Sequence, residues 1–256
     1  MDGRGASASS PATAISSTHS TWRTNVPGSL HERLLQATQQ ENAFLLSAEP
    51  IHDALAGVIS LPRYLAFLGE AYQHVRHTVP LLMTAGSRLP ARLGWLQSPV
   101  LHYIAEEAGH DEWILNDIRA AGGDAQAVRN ARPHPATDAL VARVYDQVQR
   151  RNPVGIFGMV HVLEGSSAAL ALDAADRIQA TLGLPDAAFT YLRSHGELDR
   201  EHVQDLRSIL DRLSDADDHA AVIDCARSVY WLYGHMFRAL DSIQVPLAAA
   251  PQAQTA

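Results

Sequence analysis

The sequence predicts an all-α protein, and three observations carry that expectation. Apolar residues recur at helical spacing through most of residues 29–243. No period-two alternation is flanked by hairpin turn signals, and no strand–helix–strand rhythm appears. No linker or internal repeat divides the chain, so a single-domain bundle of seven to eight helices is the economical architecture. Residues 1–28 and 244–256 are small, polar and aperiodic, which predicts disordered tails at both ends.

The helices follow from their start and stop signals. Ser29 caps a first helix that runs to about Ser47, and a short second follows Glu49-Pro50. The third begins after Leu61-Pro62, with Pro80 as a kink or stop. The fourth starts near Ser98-Pro99 and ends at Gly122-Gly123. The fifth covers Thr137 to Arg151. Asn152-Pro153 opens a long sixth that ends at Gly183. The seventh runs from Pro185-Asp186 to about Leu213, and the eighth from Asp215 to about Ile243.

Composition removes several chemistries. Of 256 residues, 28 are acidic and 20 basic, every basic one is arginine, and the net charge is −8. Without lysine there is no Schiff base and no P-loop. The one cysteine, Cys225, cannot form an intramolecular disulfide, a CxxC pair or an all-thiolate metal site. Any metal must be held by nitrogen and oxygen. No basic cluster suits nucleic acid or anionic lipid. No apolar run approaches the roughly 18 residues of a membrane span, and the N-terminus lacks a signal-peptide core. The expected location is the cytoplasm, with no membrane partner.

Three helices carry ionisable residues on apolar faces. On the fourth, Ile104, Ile114, Leu115 and Ile118 define the inner face, and Glu107 points into its middle. His110 lies one turn on, where a carboxylate and an imidazole at i and i+3 converge on one ion. Glu106 is the alternative to Glu107. On the sixth, Glu164 sits in the stripe Phe157, Val160, Ala168, Ala171, Ala175 and Ile178. A buried carboxylate there must protonate, pair or bind a cation. On the seventh, His195, Asp199 and His202 fall within about 60° of one another, flanked by Leu198 and Leu206. Glu197, Arg200, Glu201 and Gln204 face solvent. Three carboxylates and three imidazoles suit iron or manganese, and six ligands suit two ions better than one.

In order, type and spacing these six residues resemble the haem-oxygenase-like di-iron oxidases and oxygenases, the iron-containing redox enzymes. The resemblance covers roughly residues 30–243. Its signature is Glu-x-x-His (Glu107, His110), a lone glutamate (Glu164), then His-x-x-x-Asp-x-x-His (His195, Asp199, His202). The text Tyr72-Gln-His-Val-Arg-His-Thr-Val-Pro80 and Glu106-Glu-Ala-Gly-His-Asp-Glu-Trp113 is also similar. The resemblance implies a haem-oxygenase-like bundle holding two Fe(II)/Fe(III) ions at those six residues, with O2 as co-substrate. It implies oxidation of a small molecule: decarboxylation or C–C/C–N cleavage of a fatty or amino acid, or N-oxygenation. An external electron donor and a homodimer are compatible with it.

Several residues stay open at this stage. His161 is an extra ligand or a neighbour of the site. Asp111 and Asp205 orient ligand imidazoles or are surface charge. Arg76, near His74 and His77, pairs with a substrate carboxylate or with a surface group. An aliphatic or aromatic substrate would lie against Phe157, Ala168 and Ala171. Other functions on the same fold would use other residues. A haem-degrading enzyme would need His31 as axial ligand, and a thiaminase-like hydrolase would need Cys225 as nucleophile. A cofactor-free oxidase would bind substrate with the six, and an iron-binding protein would take up metal without turnover.

Overall fold

Ser29 and Glu32 open the first helix as a capping box. The Ser29 hydroxyl accepts the Glu32 N–H at 3.3 Å, and the Glu32 carboxylate accepts the Ser29 N–H at 3.1 Å. The computed structural model describes residues 28–249, apart from the side chains of Leu198, Arg200 and Glu201. The expectations for residues 1–27, for 250–256 and for those three side chains lie outside the described residues.

The described residues form α1 (Leu30–Ala37), α2 (Gln39–Leu46), α3 (Glu49–Ala56), α4 (Leu61–Val75), α5 (Thr78–Ser87) and α6 (Gln97–Glu107). They continue with α7 (His110–Ala120), α8 (Ala125–Asn130), α9 (Pro135–Arg150), α10 (Ile156–Leu182), α11 (Thr190–Arg212) and α12 (Ala216–Ala239). Every expected helix is present, but three are broken in two. The first breaks at Thr38, whose hydroxyl donates to the Leu34 carbonyl at 2.8 Å. The third breaks at Arg76–His77. Pro80 therefore falls in the first turn of α5, where its missing N–H costs nothing, and it neither kinks nor stops a helix. The fourth breaks at Ala108, which is extended, and Gly109, at φ 94°. That left-handed angle suits glycine. The short α8 is an addition, capped by Asp124, whose carboxylate accepts two N–H groups at 3.0 and 2.9 Å.

Helix α10 is the axis of the bundle and packs against α11, α12, α9 and α3. The segment Pro153–Leu182 is long and apolar enough to cross a membrane, with a mean hydropathy of 1.4 over its best window, yet 61% of that window is buried in the bundle. A search for uninterrupted apolar runs misses it because Glu164, Asp173 and Asp176 punctuate it. Its first half, with Phe157 and Val160, belongs to one apolar cluster, and its second half, with Ala171, Ala175 and Ile178, to another. Glu164 lies at the seam. Helix α11 comes close at Gly196, where an added Cβ would meet Leu172 Cγ at 2.6 Å.

Residues 244–249, expected to begin a disordered tail, are instead tied to the α7–α8 turn. Pro246 carbonyl accepts the Asp124 N–H at 2.7 Å, and the Ala248 N–H donates to Gly122 carbonyl at 2.9 Å. Val245 packs beside Gly69 and Val128. Its apolar side chain is half-buried, unlike those of Pro246 and Leu247.

Candidate metal centre

Four helices deliver the six residues to the seam. All six are buried, from Asp199 at 1% exposure to Glu107 and His195 at 8%. Glu107 and His110 arrive differently from the expectation. The break at Ala108–Gly109 puts them on separate helices, so the wheel of one continuous helix does not apply. Each helix buries its own stripe: Val100, Tyr103 and Glu107 on α6, and His110, Ile114 and Ile118 on α7. The ends of the two stripes meet at the turn, where His110 Nδ1 lies 3.3 Å from Glu107 Oε2.

The centre has two lobes that share Glu107. Glu107, His110 and His195 form one, and Glu107, Glu164 and His202 form the other; within each, the donor atoms lie within 4.8 Å of one another. In the first lobe His110 Nδ1 and His195 Nε2 are 3.2 Å apart. His195 Nδ1 donates to the Tyr191 carbonyl at 3.1 Å, which fixes the tautomer and turns Nε2 inward. In the second lobe His202 Nδ1 is 3.7 Å from Glu164 Oε1 and 3.5 Å from Asp199 Oδ1. Four buried atoms there have no hydrogen-bond partner: Glu164 Oε2, both oxygens of Asp199, and His202 Nδ1. Buried polar atoms are ordinarily satisfied. Carboxylate and imidazole donors left bare around one point fit a cation of the iron type.

The electrostatics divide the same way. Burial opposes ionisation of Glu107, but the hydrogen bond from His110 and the nearby His195, His110 and His202 hold it below the ordinary carboxylate range. Burial lowers His195. Burial pushes Glu164 well up, reinforced by Asp199, Glu107 and Glu106. The Asp199 contact raises His202 against its burial, with Glu106 adding to the effect.

Three further residues support the lobes. Glu106 does not replace Glu107; its Oε2 lies 3.0 Å behind His202, on Nε2. Asp117, fully buried on α7, accepts the Tyr191 N–H at 2.8 Å and so caps the start of α11 from a neighbouring helix. One hydrogen bond further, the Tyr191 carbonyl holds His195. An ionisable residue between Ile114 and Ile118 was the sequence signal for Asp117. Trp113 stacks on His110 with ring centroids 4.1 Å apart.

The remaining candidates lie elsewhere. His161 faces α12 and α1, with Nε2 3.4 Å from the Tyr230 hydroxyl and its ring edge-on to His31. Asp205 is exposed and Asp111 half-buried. Arg76 is exposed and stacks over Tyr72. His77 Nδ1 meets the Tyr145 hydroxyl at 3.2 Å. Glu197 and Gln204 are exposed. Cys225 is fully buried between α10 and α12, and burial pushes its thiol up to about 12. Such a thiol is not a nucleophile at neutral pH.

A cavity open at one side reaches directly onto Glu107, Glu164, His195 and Asp199. Its walls match the expected ones in part. Ala171 lines it as expected, beside Ser167 and Leu170 of α10, whereas Phe157 and Ala168 do not. Phe157 points into the core and is fully buried. His31 and Cys225 do not line it either.

The chain matches the model of the iron-containing redox enzymes over residues 65–234. It belongs to that family. The fold is haem-oxygenase-like. A domain of unknown function from Shewanella denitrificans OS217 with a heme oxygenase-like fold superposes with TM-score 0.74 at 23% identity, over 85% of this chain and 94% of that one. A TenA homologue from Pseudomonas syringae pv. tomato gives TM-score 0.70 at 11% identity, covering 84% and 93%. Heme oxygenase-1 from Synechocystis sp. PCC6803, in complex with heme, gives 0.66 at 14%, covering 84% and 93%. No curated protein matches the sequence.

Proposed function

We propose that this chain is a non-haem di-iron oxidase or oxygenase that uses O2 to oxidise a small organic substrate. The reaction classes are oxidative decarboxylation or C–C/C–N cleavage of a fatty or amino acid, and N-oxygenation. One observation carries the reading: two lobes of buried carboxylate and imidazole share Glu107 and open onto an apolar cavity. Membership of the iron-containing redox enzymes supports it. A protein that only stores or carries iron has no use for the cavity.

When bound, two ferrous ions would supply the electrons for reducing O2. The chain supplies everything else. Glu107, His110 and His195 would hold one ion, and Glu107, Glu164, Asp199 and His202 the other. The Tyr191 carbonyl keeps His195 in the one tautomer that can bind a cation. The apolar walls exclude bulk water, which protects a reactive centre from side reactions.

Anaerobic loading with Fe(II) should give two irons per chain, and later exposure to O2 should give iron-dependent O2 consumption with a suitable substrate. His195→Ala and Glu164→Ala should lose both properties. Less than one iron per chain, with wild type matching the two variants, contradicts the reading. Iron uptake without O2 consumption would favour the iron-binding protein.

A further inference from the structure

His74 has no place among the metal ligands. It lies on α4, is 4% exposed, and neither ring nitrogen has a hydrogen-bond partner. It lines the same cavity as Glu107 and His195 and packs edge-on against Tyr233, with ring centroids 5.6 Å apart. Burial lowers it to about 4, with the nearby His195 and His77 adding to the effect and Glu107 opposing it. A neutral imidazole donates through one nitrogen and accepts through the other. Leaving both bare in an apolar wall costs about 1–3 kcal/mol per group, unless a ligand satisfies them.

The cavity leads away from His74 as a channel. On α10, Glu164, Ser167, Ala171, Ala174 and Ile178 all line it. They follow a 3-4-3-4 spacing, which is one continuous face of the helix. At the rise of an α-helix that face is about 21 Å long. Pro50, Ile51 and Ala54 of α3 also line it. Among the described residues no arginine lines it, and the chain has no lysine. The far walls offer dispersion and burial, not ion pairing.

We propose that the substrate is an elongated, largely hydrocarbon molecule with one oxygen-bearing head, and that His74 is the hydrogen-bonding anchor for that head beside the metal centre. His74 sets which end of the molecule faces the six ligands. A compact, multiply charged substrate has no counter-charge along the channel. The inference rests on the di-iron reading only for what happens to the head once it is bound.

The test uses the metal-free full chain and titrates decan-1-ol and hexan-1-ol by calorimetry. Each buried methylene should tighten binding about fourfold, so decan-1-ol, with four more of them, should bind about 250-fold more tightly than hexan-1-ol. His74→Leu should weaken decan-1-ol about tenfold, and His74→Gln, which keeps a donor and an acceptor, should restore most of it. The ring-nitrogen NMR signals of His74 should shift when decan-1-ol is added. Equal binding by wild type and His74→Leu would overturn the proposal, as would affinity independent of chain length. Loss of one bound iron in His74→Gln would also overturn it, by making His74 a ligand. Alcohol binding without iron uptake refutes the di-iron reading alone, and iron uptake without alcohol binding refutes this one alone.

Discussion

The two lobes of the centre use the same residue types and treat them in opposite ways. In the lobe of His110 and His195, each imidazole already has a neighbour: Glu107, the other histidine, Trp113 and the Tyr191 carbonyl. In the lobe of Glu164, Asp199 and His202, four buried atoms have no hydrogen-bond partner. Neighbours lower Glu107 and raise His202, each against its burial, whereas burial itself lowers His195 and raises Glu164. The first lobe is built to stand without an ion. The second is costly until a cation neutralises it. In the proposed reading, the shared set divides into a preformed half and a half that a cation would complete.

The largest effect should come from the residue common to both. Glu107→Ala should abolish uptake of both irons, well beyond the roughly 10–100-fold loss that follows removal of an orienting partner. Retention of one iron, counted by metal analysis after anaerobic loading, would show that the lobes are independent.

The comparison sharpens in the metal-free protein, where the two lobes predict opposite signs. Asp199→Ala removes a buried carboxylate whose two oxygens have no hydrogen-bond partner, and should raise stability by about 1–3 kcal/mol. His110→Ala removes a packed ring stacked on Trp113 and should lower it by about 2–3 kcal/mol. Chemical denaturation in chelator reads both. The same sign for the two variants would erase the distinction.

The smallest effect is an ordering with pH. An ion must displace protons from its ligands. Glu164 and His202 keep theirs to higher pH than usual, whereas Glu107 and His195 release theirs at lower pH. As pH falls, the lobe of Asp199 should therefore empty first. Iron content measured down a pH series should show a first equivalent lost that Asp199→Ala already lacks. Loss of both equivalents together would argue against the difference.

Much of this was legible in residue spacing. His195, Asp199 and His202 lie on one uninterrupted helix, so a wheel places them together. Glu164 is likewise read from the stripe of a continuous α10. Glu107 and His110 needed more than a wheel. Ala108-Gly109 breaks the helix between them, and an isolated glycine inside a helical pattern does not announce a break. Their convergence comes from the turn at Ala108–Gly109 that joins α6 to α7. Asp117 was overlooked for another reason. Its partner is a backbone N–H on α11, which is not a pattern along the chain. His74 was noticed beside Arg76 and His77 but given no role of its own. The walls of the cavity were misread through Phe157, because an apolar stripe does not say which of its members face a core and which face a hole.

The most direct test is an anomalous-diffraction map from a crystal soaked anaerobically in Fe(II). Two iron peaks should appear, one beside His110 and His195 and one beside Glu164, Asp199 and His202, with the Glu107 carboxylate bonded to both. A single peak, or two peaks neither of which touches Glu107, would contradict the shared centre.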